Sequence, residues 1–225
     1  MEQTLDFVQE CSDRWNVNIV WLEYDELDNQ IWFKEVSHNS ASRNGEPFEK
    51  IIKRYKRLPN SLQRFCTGKL KIENVEKYLK SFGWKHWKNC LGIRYDEKKR
   101  LKNTYELFRS YYPLYPIADA KHTLKDVDNF WSKQSFKLNL PIIKGKTMMG
   151  NCDLCFLKSE SQIAMMMREY PNKAKWWINM ETKTNKQFER NRNLKDLQNF
   201  VNNQQDWVFD QQGYFCQADN GECTG

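Results

Sequence analysis

Residues 17–24, VNIVWLEY, are a run of β-branched and aromatic side chains typical of a buried strand. A buried strand needs apolar cover on both faces, and helices supply it in a chain of this size. Helical periodicity stands on either side. Thr4, Val8, Cys11 and Trp15 recur at helical spacing and mark an amphipathic helix over Glu2–Trp15. Phe48, Ile51, Ile52, Tyr55 and Leu58 do the same over Glu46–Leu58, with Pro59 as the stop. Ile72, Val75, Leu79 and Phe82 mark a further helix ended by Gly83. Trp87–Tyr95 (WKNCLGIRY) reads as a second strand running into a polar loop. This alternation predicts an α/β fold with a mostly parallel sheet flanked by helices.

Beyond residue 120 the pattern is helical. Thr123 with Asp126, and Ser159 with Gln162, have the spacing of capping boxes. The second box opens a helix carrying Ile163, Met166, Met167 and Tyr170, closed by Pro171, and a last helix spans about Leu194–Val201. The Met165–Met167 run and Trp176-Trp177 with Met180 read as core. The soft boundary lies near 136–150. It separates an α/β core over 1–140 from a helical, cysteine-bearing region over 141–225 packed on it. No internal repeat is visible.

Charge is divided unevenly. Residues 1–42 carry two basic and nine acidic side chains, residues 43–103 eighteen and six, and residues 104–225 sixteen and fourteen. The basic middle predicts contact with a polyanion, whether nucleotide phosphate, sulfate or nucleic acid, although basic helix faces are often merely solvated. No run reaches the ~18 apolar residues of a membrane helix, and the acidic N-terminus has no apolar leader. A cytoplasmic protein without membrane association is expected. The seven cysteines then read as reduced thiols or metal ligands rather than a disulfide framework.

Two stretches suggest anion chemistry. In CLGIRYDEKKR, residues 90–100, Arg94 would emerge beyond the carboxyl end of a strand, followed by Asp96, Glu97 and Arg100. A guanidinium fork suits phosphate or sulfate oxygens, while an Arg–Asp ion pair holding the loop accounts for the spacing equally well. In RFCTGKLK, residues 64–71, a glycine at a helix start with Lys69 and Lys71 behind it can form an anion nest. The cysteines fall as Cys152-x-x-Cys155, Cys216-x6-Cys223 and Cys66 beside the anion loop. A single close pair leaves metal binding, inert thiols and redox chemistry all open. No phosphate loop of the G-x-x-x-x-G-K-[ST] kind, no G-x-G-x-x-G and no Ser/His/Asp arrangement is present.

Taken in order, the NIVWLEY strand, the ASRNGEPF loop, FCTGKLK, GIRYDEKKR, YPLYPIADAKHTLKDVDNFW and GNCDLCFLKS resemble the phosphoadenosine phosphosulfate (PAPS) reductase family, in its phage and bacterial PAPS reductase-like branch. The resemblance covers nearly the whole chain. It implies an adenine-nucleotide hydrolase-like α/β fold, related to the N-type ATP pyrophosphatases, with a pocket at the carboxyl edge of the sheet. There Arg94 and Arg100 would face phosphate or sulfate, with Lys69 near and Asp96 and Glu97 in the same turn. It implies ATP or PAPS as substrate, an oxidoreductase or transferase role in sulfur metabolism, and a zinc or iron–sulfur site on Cys66, Cys152 and Cys155 with Cys216 or Cys223.

Two departures accompany the match. The S-G-G-K-D-S-like phosphate loop is missing, and the tail reads YFCQADNGECTG where the true reductases carry E-C-G-[IL]-H. No catalytic residue is assigned. The missing strands imply an upstream coding start, a partner chain or second copy completing the sheet, or a degenerate member. Two function classes follow: a nucleotide-handling enzyme, or a metal-stapled binding protein for nucleic acid or another protein.

Overall fold

The run at 17–24 finds its partner locally. Strand β1 (Trp21–Leu27) pairs antiparallel with β2 (Gln30–Val36) across a two-residue turn. The turn residues Asp28 and Asn29 both have positive φ, 49° and 60°, the geometry that matches the twist of a tight hairpin. The chain is described by a computed structural model over residues 2–102, 106–143, 146–147, 149 and 152–203.

This overturns the expected fold class. Among the described residues there is no mostly parallel sheet flanked by helices, but three two-stranded sheets. β1 and β2 form a hairpin, β3 (Trp87–Cys90) and β4 (Tyr111–Leu114) run parallel, and β5 (Ile142–Ile143) and β6 (Lys146–Thr147) make a minimal antiparallel pair. The physical reason lies in QIWFKEV, residues 30–36. It is itself strand-forming, and a two-residue connection allows only an antiparallel neighbour. The expected alternation of strand and helix therefore breaks at its first step.

The helices hold better. α1 (Glu2–Trp15) has the expected bounds. α2 (Glu46–Tyr55) stops three residues short of Leu58, because Lys56 turns left-handed at φ 50°. α3 (Phe65–Thr67) continues through one π turn (Gly68–Ile72) into α4 (Glu73–Ser81). In that turn the Glu73 amide donates to the Gly68 carbonyl, one residue further than in an α-helix. After β4 come α5 (Pro116–Asp119) and α6 (Leu124–Ser132). The Asp126 carboxylate accepts from the Thr123 amide at 2.8 Å and its hydroxyl at 2.7 Å, so this box forms.

Three helices close the described chain: α7 (Glu160–Glu169), α8 (Pro171–Thr184) and α9 (Leu194–Asn203). Pro171 ends α7 as expected, and also opens α8, where its missing N–H costs nothing. At the start of α7, Gln162 N donates to Ser159 Oγ at 3.3 Å and Ser159 N to Gln162 Oε1 at 3.1 Å. Glu181 is buried in α8 and accepts from the amides of Phe188 (3.0 Å) and Leu194 (2.9 Å), tying α8 to the start of α9.

The main core is apolar and helical. Ile163, Met166 and Met167 of α7, Trp177 and Met180 of α8 and Leu197 and Val201 of α9 pack with Leu154, Phe156 and Phe188. Ile52 and Leu58, from the other half of the chain, belong to the same cluster. Each such side chain contributes about 1.5–3 kcal/mol by leaving water. Gly45, at φ +83° ahead of α2, lies against the Trp176 ring, where an added Cβ would sit 2.9 Å from its atoms. A second, aromatic contact joins α1 to α6, with Phe7 and Trp131 rings 5.1 Å apart and Trp15 5.7 Å from Trp131.

Candidate functional site

The parallel pair delivers two loops to one place. β3 ends at Cys90, and Leu91 still donates to the Leu114 carbonyl at 2.8 Å before the chain reaches buried Ile93 and then Arg94. β4 ends at Leu114 and is followed by buried Tyr115 and α5. Ile93, Tyr115 and Ala118 pack together beneath this corner. The two loops are laced by Tyr95 N donating to His122 O at 2.9 Å and Lys102 N donating to the Tyr115 hydroxyl at 2.9 Å.

Arg94, Asp96, Glu97 and Arg100 meet in this turn, as the spacing suggested, and they face one another. Glu97, with a side chain 8% exposed, accepts from the Arg94 amide at 3.0 Å and pairs with both guanidinium groups, that of Arg94 at 3.6 Å. Asp96 is the outer partner, 40% exposed, and accepts from Arg94 Nε at 3.0 Å. Its other oxygen accepts from Leu124 N at 3.3 Å, at the start of α6, where a carboxylate suits the helix dipole. The geometry of this segment is that of the ion-pair reading.

Lys69 belongs to a different network. It lies in the π turn, and its Nζ meets Glu73 Oε1 at 2.6 Å. Arg109 links Glu73 (3.6 Å) to Glu76 (2.8 Å), which also accepts from Ser110 Oγ at 2.6 Å and pairs with Lys80 at 2.7 Å. Burial pushes the Glu76 carboxyl up, but hydrogen bonds from Lys80, Ser110 and Arg109 outweigh it and bring the pKa down to about 2. The amides of Thr67 and Gly68 donate to Arg64 O and Phe65 O, so those two N–H groups serve the helix rather than an anion nest.

The described thiols of the expected metal site come from two segments. Cys66, in the first turn of the α3–α4 helix, packs against the main core. Cys152 is exposed and Cys155 buried, with Cys155 N donating to Cys152 O at 3.4 Å and Lys158 N to Cys155 O at 2.9 Å. Burial raises the pKa of Cys66, and the charge of Cys152, 86 positions further along the chain, raises it further. Bonds from the Thr67 amide and hydroxyl partly offset the rise. Arg192 braces the knuckle, donating to Lys158 O at 3.4 Å and Phe156 O at 3.3 Å. Burial lowers its pKa, and Cys155 is among the negative groups that counter this. Cys216 and Cys223 lie outside the described residues.

Thiolates are the donors that zinc and iron–sulfur clusters take, but Cys66, Cys152 and Cys155 do not form a group whose sulfur atoms all lie within 4.8 Å of one another, so the described residues do not assemble the expected metal site. Sequence reasoning missed Arg192, since nothing local ties it to a knuckle 37 residues earlier. It also missed Glu2, Asp6 and His38, whose ligand atoms lie within 4.8 Å of one another. That cluster is already satisfied: Arg43 takes both Glu2 oxygens, at 2.9 and 3.1 Å, and His38 sits between Asp6 (2.8 Å) and Asn39 (3.1 Å).

Set against known proteins, no family model matches the chain. No solved structure matches it. One curated relative is the uncharacterized nin region protein ORF290 of Escherichia phage lambda, 31% identical over 125 residues. That match takes in 55% of this chain and only 39% of the relative. The similarity suggests a phage origin. No helix among the described residues is long and apolar enough to cross a membrane.

Proposed function

We propose that the chain binds an adenine nucleotide or sulfonucleotide at the carboxyl ends of β3 and β4, as the PAPS reductase-like proteins it resembles are expected to do. The observation that carries this reading is the parallel pair itself. It sets the Arg94–Arg100 turn beside the Tyr115 corner, and open α/β units receive ligands at such ends. Glu97 holds both guanidinium groups in one place, while the more exposed Asp96 is the partner that a phosphate or sulfate would replace on Arg94. The protein would act in the cytoplasm of a phage-infected host cell.

Calorimetric titration with ATP and with PAPS tests this. Arg100→Ala is expected to weaken binding by about 1.5–3 kcal/mol, the scale of hydrogen bonds to a charged group. Asp96→Asn is expected to tighten it, because a competing carboxylate is gone. Saturable binding of neither nucleotide overturns the reading.

The Cys152–Cys155 knuckle favours a second reading, a metal-stapled binding protein for nucleic acid or another protein. Cys66, Cys152 and Cys155 would have to draw together to hold zinc or an iron–sulfur cluster, and the metal would then supply structural cross-linking between the α3–α4 helix and the bundle. Protein purified without oxygen is expected to carry a thiol-bound metal, visible by elemental analysis or absorbance and lost in Cys152→Ser. Metal-free protein of unchanged stability argues against it.

A further inference from the structure

Residues 77–88, KYLKSFGWKHWK, carry four lysines, a histidine and four aromatic rings with no carboxylate among them. The fold leaves much of this segment uncovered. α4 ends at Ser81, and Gly83 at φ +81° reverses the chain, its amide donating to Lys80 O at 2.9 Å. The loop beyond presents Phe82 at 62% and Trp84 at 52% exposure. Large apolar rings so exposed in the middle of a chain are costly, and here they stand beside cations.

The rings are also ordered. Trp32 stacks on Phe33 at 5.2 Å, Phe33 meets Tyr78 edge-on at 5.5 Å, and Tyr78 meets Phe82 at 5.0 Å. This row runs from the β1–β2 hairpin to the loop tip and fixes Phe82 from behind. Lys77 sits 5.3 Å over the Trp32 ring. Lys85, His86 and Lys88 are exposed, and Lys85 and Lys88 have no carboxylate partner among the described residues. Glu76 lies near the row, but its charge is met by Lys80, Arg109 and Ser110.

We infer that this loop binds single-stranded nucleic acid, bases stacking on Trp84 and Phe82 and phosphates running past Lys85 and Lys88. Exposed rings alternating with unpaired cations are what a single strand recognises: every base has a π-face and every nucleotide one charge. A duplex hides its bases and cannot use the rings. An apolar protein partner would bury the lysines at a cost. The inference does not depend on the nucleotide site of the preceding section.

The test is fluorescence anisotropy of the full chain with a labelled oligothymidylate of about 12 nucleotides. Single-strand affinity is expected to exceed that for a duplex of equal length, and to fall between about 50 and 200 mM salt. Trp84→Ala is expected to weaken binding about ten-fold, the scale of one lost base stack. Lys85→Gln with Lys88→Gln is expected to lower the slope of log affinity against log salt by about 1.4. Phe82→Ala serves as the second ring variant, and circular dichroism confirms that each variant is folded. No binding at low salt, equal affinity for duplex, or indifference of folded Trp84→Ala and Phe82→Ala overturns the inference. Competition by ATP, or loss of oligonucleotide binding in Arg100→Ala, overturns it also, since both would place the strand at the Arg94 turn. Failure of the nucleotide proposal alone leaves every one of these readouts unaltered.

Discussion

The side chains of Met167, in the helical bundle, and of Glu97, in its turn, are both withdrawn from water, by opposite means. Met166 and Met167 have no exposed surface and belong to a large apolar cluster. Glu97 is almost as hidden, yet its neighbours are two guanidinium groups and a backbone amide. The bundle is held by area and volume, which tolerate conservative exchange. The turn is held by pairing, and each buried charge depends on its partner. Stability is therefore distributed in the first region and concentrated in the second.

Paired substitutions break or sharpen this contrast. Met167→Ala is expected to cost about 2–5 kcal/mol by leaving a cavity, and Met167→Leu less than about 1.5 kcal/mol, measured by urea unfolding. Equal losses for both would mean the bundle depends on shape as strictly as the turn depends on charge. Glu97→Gln is expected to cost about 3 kcal/mol although it is nearly isosteric, because Arg94 and Arg100 lose their shared counter-charge in a mostly buried place. A neutral outcome would show that Asp96 alone suffices.

Glu76 extends the comparison to pH. Its carboxyl lies at about 2, below an ordinary value of 4.5, so the folded state binds the proton less readily than the unfolded chain. The stability this supplies is fully present above pH 4.5 and lost as pH falls toward 2. With solvent screening it is worth about 1–2 kcal/mol. Glu76→Gln is expected to flatten the acid limb of the stability curve in that window and leave the Met167 variants' pH profile as it was. Smallest is Ser159→Ala, which removes one half of the α7 capping box and is expected to lower stability by about 1 kcal/mol.

Helices were legible where the signal is local. Glu2–Trp15 and the boxes at Thr123 and Ser159 needed only spacing and capping chemistry. The sheet was not legible, because QIWFKEV alternates polar and apolar residues too loosely to stand out, and the Asp28-Asn29 turn carries no glycine to announce it. The Arg94 turn was visible because its four charged groups lie within seven residues. The Cys152–Cys155 knuckle is written in the chain, whereas Arg192, which bonds the Phe156 and Lys158 carbonyls behind it, reaches it from afar.

The π turn at Gly68–Ile72 gives the α3–α4 helix one residue more than its length as a plain α-helix would hold. Each residue of an α-helix turns the chain by about 100°, but the wider turn takes up the extra residue without passing that rotation on to the helix beyond. Loss of Gly68 would close the turn to an α-helical one and leave Cys66 on nearly the same face relative to Glu73 and Glu76. The π turn is thus a place where the chain can change length by one residue while its two ends keep their relation.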